Sequence, residues 1–484
     1  MSVSMIGSAL SGIIPVICVT FTGIALLVAE ALRQRDERMP VGGLGLIGLV
    51  GAGATIVLLW GQNRESLGVV VADNFGLFVQ FVLVVIGVVT ILCSPGAIDR
   101  DHLPAGEYYA LLLFAIAGMM LMAVTRDLLI IFLTLEVFSI AIYVMTGLRR
   151  EVVASTEGAF KYFLLGGFSS AFFLYGIAFT YGLAGSTHLD RVAAVIGSPS
   201  MSGNPLLLVA LGLLLVGFAF KVSAVPFHMW TPDAYEGAPT VVTGFMSTAV
   251  KAAAFAAFVR VFLSAFEPLR GSWVPVLWGI ALVTMIGGTV VGVVQTNVKR
   301  MLAYSSIAHA GYLLVGLIAA SPAGKAAVLF YLASYAVTNL GAFGVVAMLA
   351  TGDRPHDELN DFKGLWYRRP ALATLMAIFL LSLGGFPPMA GFIAKWYIFN
   401  AAVQESYYGL AIVGVLTSVV SVYFYTRIIV MMYMTEEPAD SPATPALSAV
   451  AAAGLGLAVI VVFYLGVLPA RVLDLAAQSV ATIF

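Results

Sequence analysis

Five ionisable residues stand in stretches otherwise apolar enough for lipid: Glu136, Lys221, Lys251, His309 and Lys395. Lys221 and Lys251 lie within Gly217–Ala257, and Pro226, His228, Pro232 and Pro239 stand between them. Proline has no N–H and clashes with the preceding turn, so the helix carrying Lys221 should break near Pro226. A broken helix in a bilayer is tolerated only where protein or water satisfies its freed carbonyls, so a lysine beside the break should line a polar interior. Glu136 comes nine residues after Asp127, about 14 Å along a helix and near the middle of a ~30 Å hydrocarbon core. By the same rise Lys251 lies about 18 Å past Pro239.

An ion at the bilayer centre costs roughly 2.5–3.5 kcal/mol on insertion scales, and acid, base and histidine chains of this kind are how membrane proteins move protons. Desolvation favours a neutral lysine and a nearby carboxylate favours a charged one, so a lysine beside a movable carboxylate is a switchable proton carrier. His309, in AYSSIAHAGY, is placed to bridge two lysines, and His228, just after Pro226, to link the chain to bulk water. The competing reading is a set of buried Glu–Lys locks between helices. One carboxylate against three lysines leaves positive charge that a lock does not need. Arg427 is read as snorkelling to the surface.

 Its long apolar stem suits that role. Lys161 is read as an interfacial anchor, and Asp233 and Glu236 as residues that flank an exit loop or are solvated.

Composition sets the solvent. Of 484 residues, 61% are hydrophobic and 10% charged, against about 25% charged in a soluble domain. A net charge of -1 leaves no nucleic-acid footprint. Cys18 and Cys93 are too few for an iron–sulfur cluster, which takes about four thiolates. The run Gly43-Leu-Gly45-Leu-Ile-Gly48 matches GxGxxG but has no strand before it, so the dinucleotide reading fails; close helix packing suits it better. With no phosphate loop and no metal-ligand cluster, neither a cofactor nor a metal is expected in this chain. Energy for pumping would come from an ion gradient or a partner subunit. The first apolar run lacks the basic flank of a signal peptide and is read as a retained span. Trp60, Trp230, Trp366 and Trp396 are read as interface belts.

The expected fold class is an all-α polytopic membrane protein. Spanning takes roughly 20 apolar residues, and that rule gives about fourteen candidate helices, near 9–31, 43–61, 74–93, 107–124, 127–147, 158–182, 204–224, 239–262, 273–296, 301–320, 325–350, 371–402, 408–434 and 446–468. Odd-numbered loops hold most of the basic residues: Arg33, Arg35 and Arg38, then Arg149 and Arg150, Lys299 and Arg300, and Arg354, Lys363, Arg368 and Arg369. The positive-inside rule makes those loops cytoplasmic. The seventh span reads lysine then proline, Lys221 and Pro226. The twelfth reads proline then lysine, Pro387-Pro388 and Lys395. Interrupted spans at corresponding places in two halves point to an inverted repeat. The chain divides into 1–106, a three-helix segment; 107–262 and 263–434, the two repeats; and 435–484, a last helix.

DLLIIFLTLEVFSIAIYVMTGLRR, GAFKYFLLGGFSSAFFLYGIAFTYG, FKVSAVPFHMWTPDAYEGAPT, NVKRMLAYSSIAHAGY and LSLGGFPPMAGFIAKWYIF resemble the antiporter-like subunits of respiratory complex I, over roughly residues 107–434. The resemblance implies fourteen helices, two inverted five-helix repeats and broken seventh and twelfth spans. It implies that Glu136 pairs with Lys221, that Lys251 and His309 sit on a central polar axis, and that Lys395 ends the channel. A lysine rather than glutamate in the twelfth span, and no long lateral helix at the end, look like the N-type branch. The implied function is proton translocation in the bacterial inner membrane, driven by NADH-to-quinone electron transfer in other subunits. Implied partners are an M-type antiporter-like subunit and small J- and K-type subunits, with no redox group here. A multisubunit sodium/proton antiporter shares these motifs and is the alternative.

Overall fold

The computed structural model describes residues 10–32, 41–201, 203–351, 356–436 and 447–483. Arg33, Arg35, Arg38 and Arg354 of the loop-charge argument lie outside the described residues. Among the described residues one short antiparallel hairpin, β1 (Arg64–Ser66) and β2 (Val70–Ala72), pairs Glu65 with Val71, and the remaining regular structure is helical.

The long helices are α1 (Ile14–Leu32), α2 (Val41–Leu59), α3 (Asn74–Cys93), α4 (Ala105–Val124), α5 (Leu128–Thr146), α6 (Val153–Ala184), α7 (Pro205–Lys221), α8 (Thr240–Arg260), α9 (Arg270–Val293), α10 (Val298–Ala319), α11 (Pro322–Leu349), α12 (Pro370–Gly384), α13 (Ala390–Gln404), α14 (Tyr408–Tyr433) and α15 (Ala449–Val467). Twelve helices among the described residues are long and apolar enough to cross a membrane. The shorter α7, α12 and α13 belong to the two interrupted spans. Polar side chains start many of the helices: Asp73 accepts from Gly76 N, Asp127 from Leu129 N and Ile130 N, Asn297 from Arg300 N, and Ser321 from Gly324 N. Each satisfies N–H groups that the first turn leaves open.

The interruptions fall where proline and glycine dictate. α7 stops at Lys221, before Pro226, and the chain passes through Ser223 in the left-handed region (φ 65°) before the short helix Trp230–Gly237. α12 stops at Gly384. Gly385 at φ 88° turns the chain, and α13 resumes after Pro387-Pro388. That turn favours glycine because a Cβ there is strained.

All 21 residues of α8 are buried. It packs against α11, α3 and α4 and forms the centre with α10 and α11. The outer helices expose large apolar side chains such as Phe21, Ile47, Phe168, Val290, Val419 and Ile460. In water such a surface would aggregate; in a bilayer it meets lipid tails. Gly48 sits so close to α1 that a Cβ would come 2.3 Å from Thr22 Oγ1, as the small-residue run led us to expect.

Alternate loops gather on opposite faces. One face joins the β hairpin, the turn between α4 and α5 and the C-terminal end, through Arg126 N to Val69 O at 2.9 Å and Phe75 N to Thr482 Oγ1 at 3.3 Å. The other gathers residues 100–104, 148–154, 236–240, 350–351 and 357–358 around a cleft of about 1260 Å³. Trp230 corrects the interface-belt reading. It is 2% exposed, stacks on Tyr162 at 4.0 Å and donates from Nε1 to Phe220 O at 3.1 Å. The proline-broken helix carries it inward, where an indole N–H needs a partner. Trp366 and Trp396 are exposed.

Candidate functional site

Lys221 ends α7, and the break leaves its ammonium inside the protein at 2% residue exposure. It donates to Ser139 Oγ of α5 at 2.7 Å and stands over the rings of Phe138, Tyr143 and Tyr162 at 5.4, 5.5 and 5.7 Å. Aromatic faces offer partial negative charge without a carboxylate. Glu136, half-buried on the same helix, accepts from Ser170 Oγ of α6. The expected Glu136–Lys221 pair is not in ion-pair contact. Each residue holds a serine, and Ser139 and Glu136 are three residues apart on one face of α5.

Lys251 is held differently. It is 1% exposed on the enclosed α8, donates to the Ser306 carbonyl of α10 and stands 5.9 Å from the Tyr335 ring. Ser306 Oγ in turn accepts from Tyr335 OH at 2.8 Å. One turn before Lys251, Ser247 Oγ accepts from Asn339 Nδ2 at 2.8 Å. His309 lies one turn beyond Ser306. Its Nδ1 meets Tyr331 OH at 2.6 Å and its Nε2 meets Tyr425 OH at 3.3 Å. Rings of Tyr335 and Tyr312 lie 5.1 and 5.5 Å away. Tyr425 OH also meets Ser305 Oγ.

Lys395, on α13, reaches back across the break to Leu383 O at 2.8 Å and Gly384 O at 3.2 Å, carbonyls left open where α12 ends. It also donates to Ser418 Oγ of α14 at 2.8 Å and stands 5.5 Å from the Tyr312 ring. Between His309 and the break a cavity of about 10 Å³, roughly the space of one water, is lined by Tyr331, Ser334, Thr338 and Ser382.

The structure therefore brings Lys251, His309 and Lys395 onto one axis of tyrosine and serine hydroxyls. It leaves Glu136 and Lys221 as a separate cluster behind the rings of Tyr162, Trp230 and Phe220. His228 is half-buried in the break, with Nδ1 unpartnered, and joins neither group.

Residues 125–421 match the family model for transmembrane subunits of the NADH:quinone oxidoreductase/Mrp antiporter group. The chain is 42% identical over 482 residues to NADH-quinone oxidoreductase subunit N of Trichlorobacter lovleyi, covering 98% of this chain and 97% of that one. The chain belongs to the NADH-quinone oxidoreductase subunit N family. Among solved structures, a chain of respiratory complex I from Thermus thermophilus with bound aureothin matches at TM-score 0.81 and 34% identity, over 96% of this chain and 100% of that one. A chain of the Mrp complex from Dietzia shares the fold at TM-score 0.81 and 21% identity, over 98% and 97%.

In this subunit N family member several charged residues escaped sequence reasoning. Arg260 and Asp73 form a bidentate pair at 2.7 and 2.8 Å, with side chains 2% and 1% exposed, and Arg260 also donates to Ala123 O at 3.0 Å. Arg260 was absorbed into a span end and Asp73 into a loop; only their partnership across 187 positions hides them. Lys299, counted as a loop charge, is fully buried and donates to Glu236 O and Ala238 O at 2.6 and 2.7 Å. Lys161 holds Glu157 and Asp233, and Arg300 holds Asp233 and Glu236. Burial alone would raise the Asp233 carboxyl, but the hydrogen bonds from Lys161 and Arg300 outweigh it and keep Asp233 below the usual carboxylate range. Arg427 donates weakly to Val293 O and Gln295 O at 3.4 and 3.5 Å, at the end of α9, as a snorkelling arginine would.

Proposed function

We propose that this chain translocates protons as a membrane subunit of a bacterial NADH-quinone oxidoreductase. Electron transfer from NADH to quinone takes place in other subunits, and this one carries no redox group of its own. The observation that supports this best is the chemistry around Lys221, Lys251 and Lys395. Each is buried, and each is held by hydroxyls, carbonyls and aromatic faces, with no carboxylate in ion-pair contact among the described residues. Groups held this way change protonation without breaking a structural salt bridge, which suits a carrier better than a lock. Lys251, His309 and Lys395 form one stretch of the relay and Glu136 with Lys221 the other; His228, in hydrogen-bond contact with neither, is the link to bulk water that this reading assigns to the break.

The chain crosses the inner membrane fourteen times, with 107–262 and 263–434 as inverted five-helix repeats between an N-terminal three-helix segment and a C-terminal helix. Its partners are an M-type antiporter-like subunit, small J- and K-type subunits, and lipid.

The test is Lys395→Ala in the assembled complex. Proton pumping per NADH oxidised, measured in inverted vesicles, should fall while the amount of assembled complex stays near wild type. Disappearance of the whole complex from the membrane, with no assembled inactive form, would return the residue to a structural role.

A further inference from the structure

The short helix Trp230–Gly237 is tied down at both ends. At its start it reaches back across the break. Trp230 Nε1 donates to Phe220 O at 3.1 Å, and Thr231 Oγ1 donates to Ser223 Oγ at 2.8 Å. Phe220 is the residue before Lys221, and its carbonyl lies in the last turn of α7, where no α-helical N–H follows to take it. The indole also sets the rings around the ammonium. It stacks on Tyr162 at 4.0 Å and lies 5.5 Å from Phe220, and those two rings stand 5.7 and 5.9 Å from Lys221 Nζ. A ring that only filled space would need no N–H, and phenylalanine would serve.

The other end of the helix is gripped from the first turn of α10. Arg300 holds Asp233 at 2.8 Å and Glu236 at 2.7 Å, and Lys299 donates to Glu236 O at 2.6 Å and Ala238 O at 2.7 Å. Arg149 donates to Gly237 O at 2.9 Å, and Lys161 of α6 holds Asp233 at 2.8 Å. Cations on the last carbonyls suit the negative end of a helix. There is no slack against α6, since a Cβ on Gly237 would lie 2.1 Å from Ala154 O. Further along α10 stand His309 and Ser306, whose carbonyl holds Lys251. A displacement of α10 therefore reaches Phe220 O through contacts that are all in place.

We propose that Trp230 is a positioning residue for Lys221, and that the short helix makes the place of that ammonium follow α10. The idea rests on the proton-translocation reading above. No proton passes through the indole. Its N–H fixes the end of α7, and its ring fixes Tyr162 and Phe220. A shift of α10 that accompanies a change of charge at Lys251 or His309 then alters how Lys221 is held, and the two stretches of the relay stay in step.

The test uses the assembled complex in inverted vesicles, and reads pumping per NADH oxidised beside the melting temperature. Trp230→Phe keeps a ring and removes the donor. Arg300→Met releases Asp233 and Glu236, and Arg300→Lys keeps a cation there. The inference expects Trp230→Phe and Arg300→Met each to lower pumping several-fold at a melting temperature near wild type. It expects the double variant to lose no more than the worse single, because both act through one helix, and Arg300→Lys to recover most of the loss. Wild-type pumping in assembled Trp230→Phe, losses that only follow a lowered melting temperature, or losses that multiply in the double would overturn it. Lys221→Met separates the two readings: impaired pumping there leaves translocation standing, and wild-type pumping would overturn both. If Trp230→Phe does not assemble, Arg300→Met against Arg300→Lys decides by the same criterion.

Discussion

Glu136 and Lys221 are each held by a serine, not by each other. Ser170 donates to the carboxylate, and Ser139, one turn along α5 from Glu136, accepts from the ammonium. With no ion pair to break, a shift of α5 against α6 or α7 would alter how strongly the two charges feel each other. If they act as one switch, Glu136→Gln and Lys221→Met should each lower pumping several-fold, and the double variant should be little worse than either, because interacting sites are not additive. Pumping in inverted vesicles, normalised to assembled complex, checks this. Strictly additive losses, or a single variant that pumps like wild type, would show that the charges serve packing alone.

The two interrupted spans place both lysines, but by opposite routes. Lys221 ends the helix before its break, whereas Lys395 lies on the helix after its break and caps the carbonyls of the one before. The second break is packed without slack. A Cβ on Gly391 would lie 1.8 Å from the Ser382 carbonyl oxygen. Gly391→Ala should therefore push α12 and α13 apart and cost more than the 1–3 kcal/mol typical of overpacking, with a lower melting temperature for the purified complex. An unchanged melt would mean that the helices part at no expense. Deeper inside, the Asp73–Arg260 pair ties the start of α3 to the end of α8. Asp73→Asn leaves the guanidinium buried with no counter-charge and should cost about 3–5 kcal/mol, while Asp73→Leu with Arg260→Met should recover most of it. Thermal unfolding in detergent distinguishes the two; equal loss in the single and the double would remove the pair as the cause.

At the scale of the whole molecule, a buried axis of hydroxyls runs through an apolar shell, and alternate loops divide between its two faces. Arg149, Arg150, Lys299 and Arg300 belong to the face with the large cleft. The loop bias predicts that this face is cytoplasmic and that the C-terminus lies on the other side. An alkaline phosphatase fused after Phe484 should be active in intact cells. Activity of a cytoplasmic reporter at the same junction, with a silent phosphatase, would reverse the orientation.

Sequence by itself determined much of this protein. Long apolar runs required a helical membrane fold, because lipid leaves no partner for an open backbone. Pro226 and the Gly385–Pro388 stretch located the breaks, because ring closure and a left-handed turn act locally. Rare charges in apolar runs marked Glu136, Lys221, Lys251, His309 and Lys395. Contact between distant positions was decided only by the fold. Ser139, Ser306, Tyr335 and Tyr425 look like ordinary helix residues until packing sets them against a lysine or histidine. Asp73 and Arg260 fall in a loop and at a span end, and nothing local pairs them until α3 and α8 cross. Trp230 read as a belt residue until the break turned it inward. Local rules act over a few residues, whereas a hydrogen bond across 100 positions exists only once the chain has closed around it.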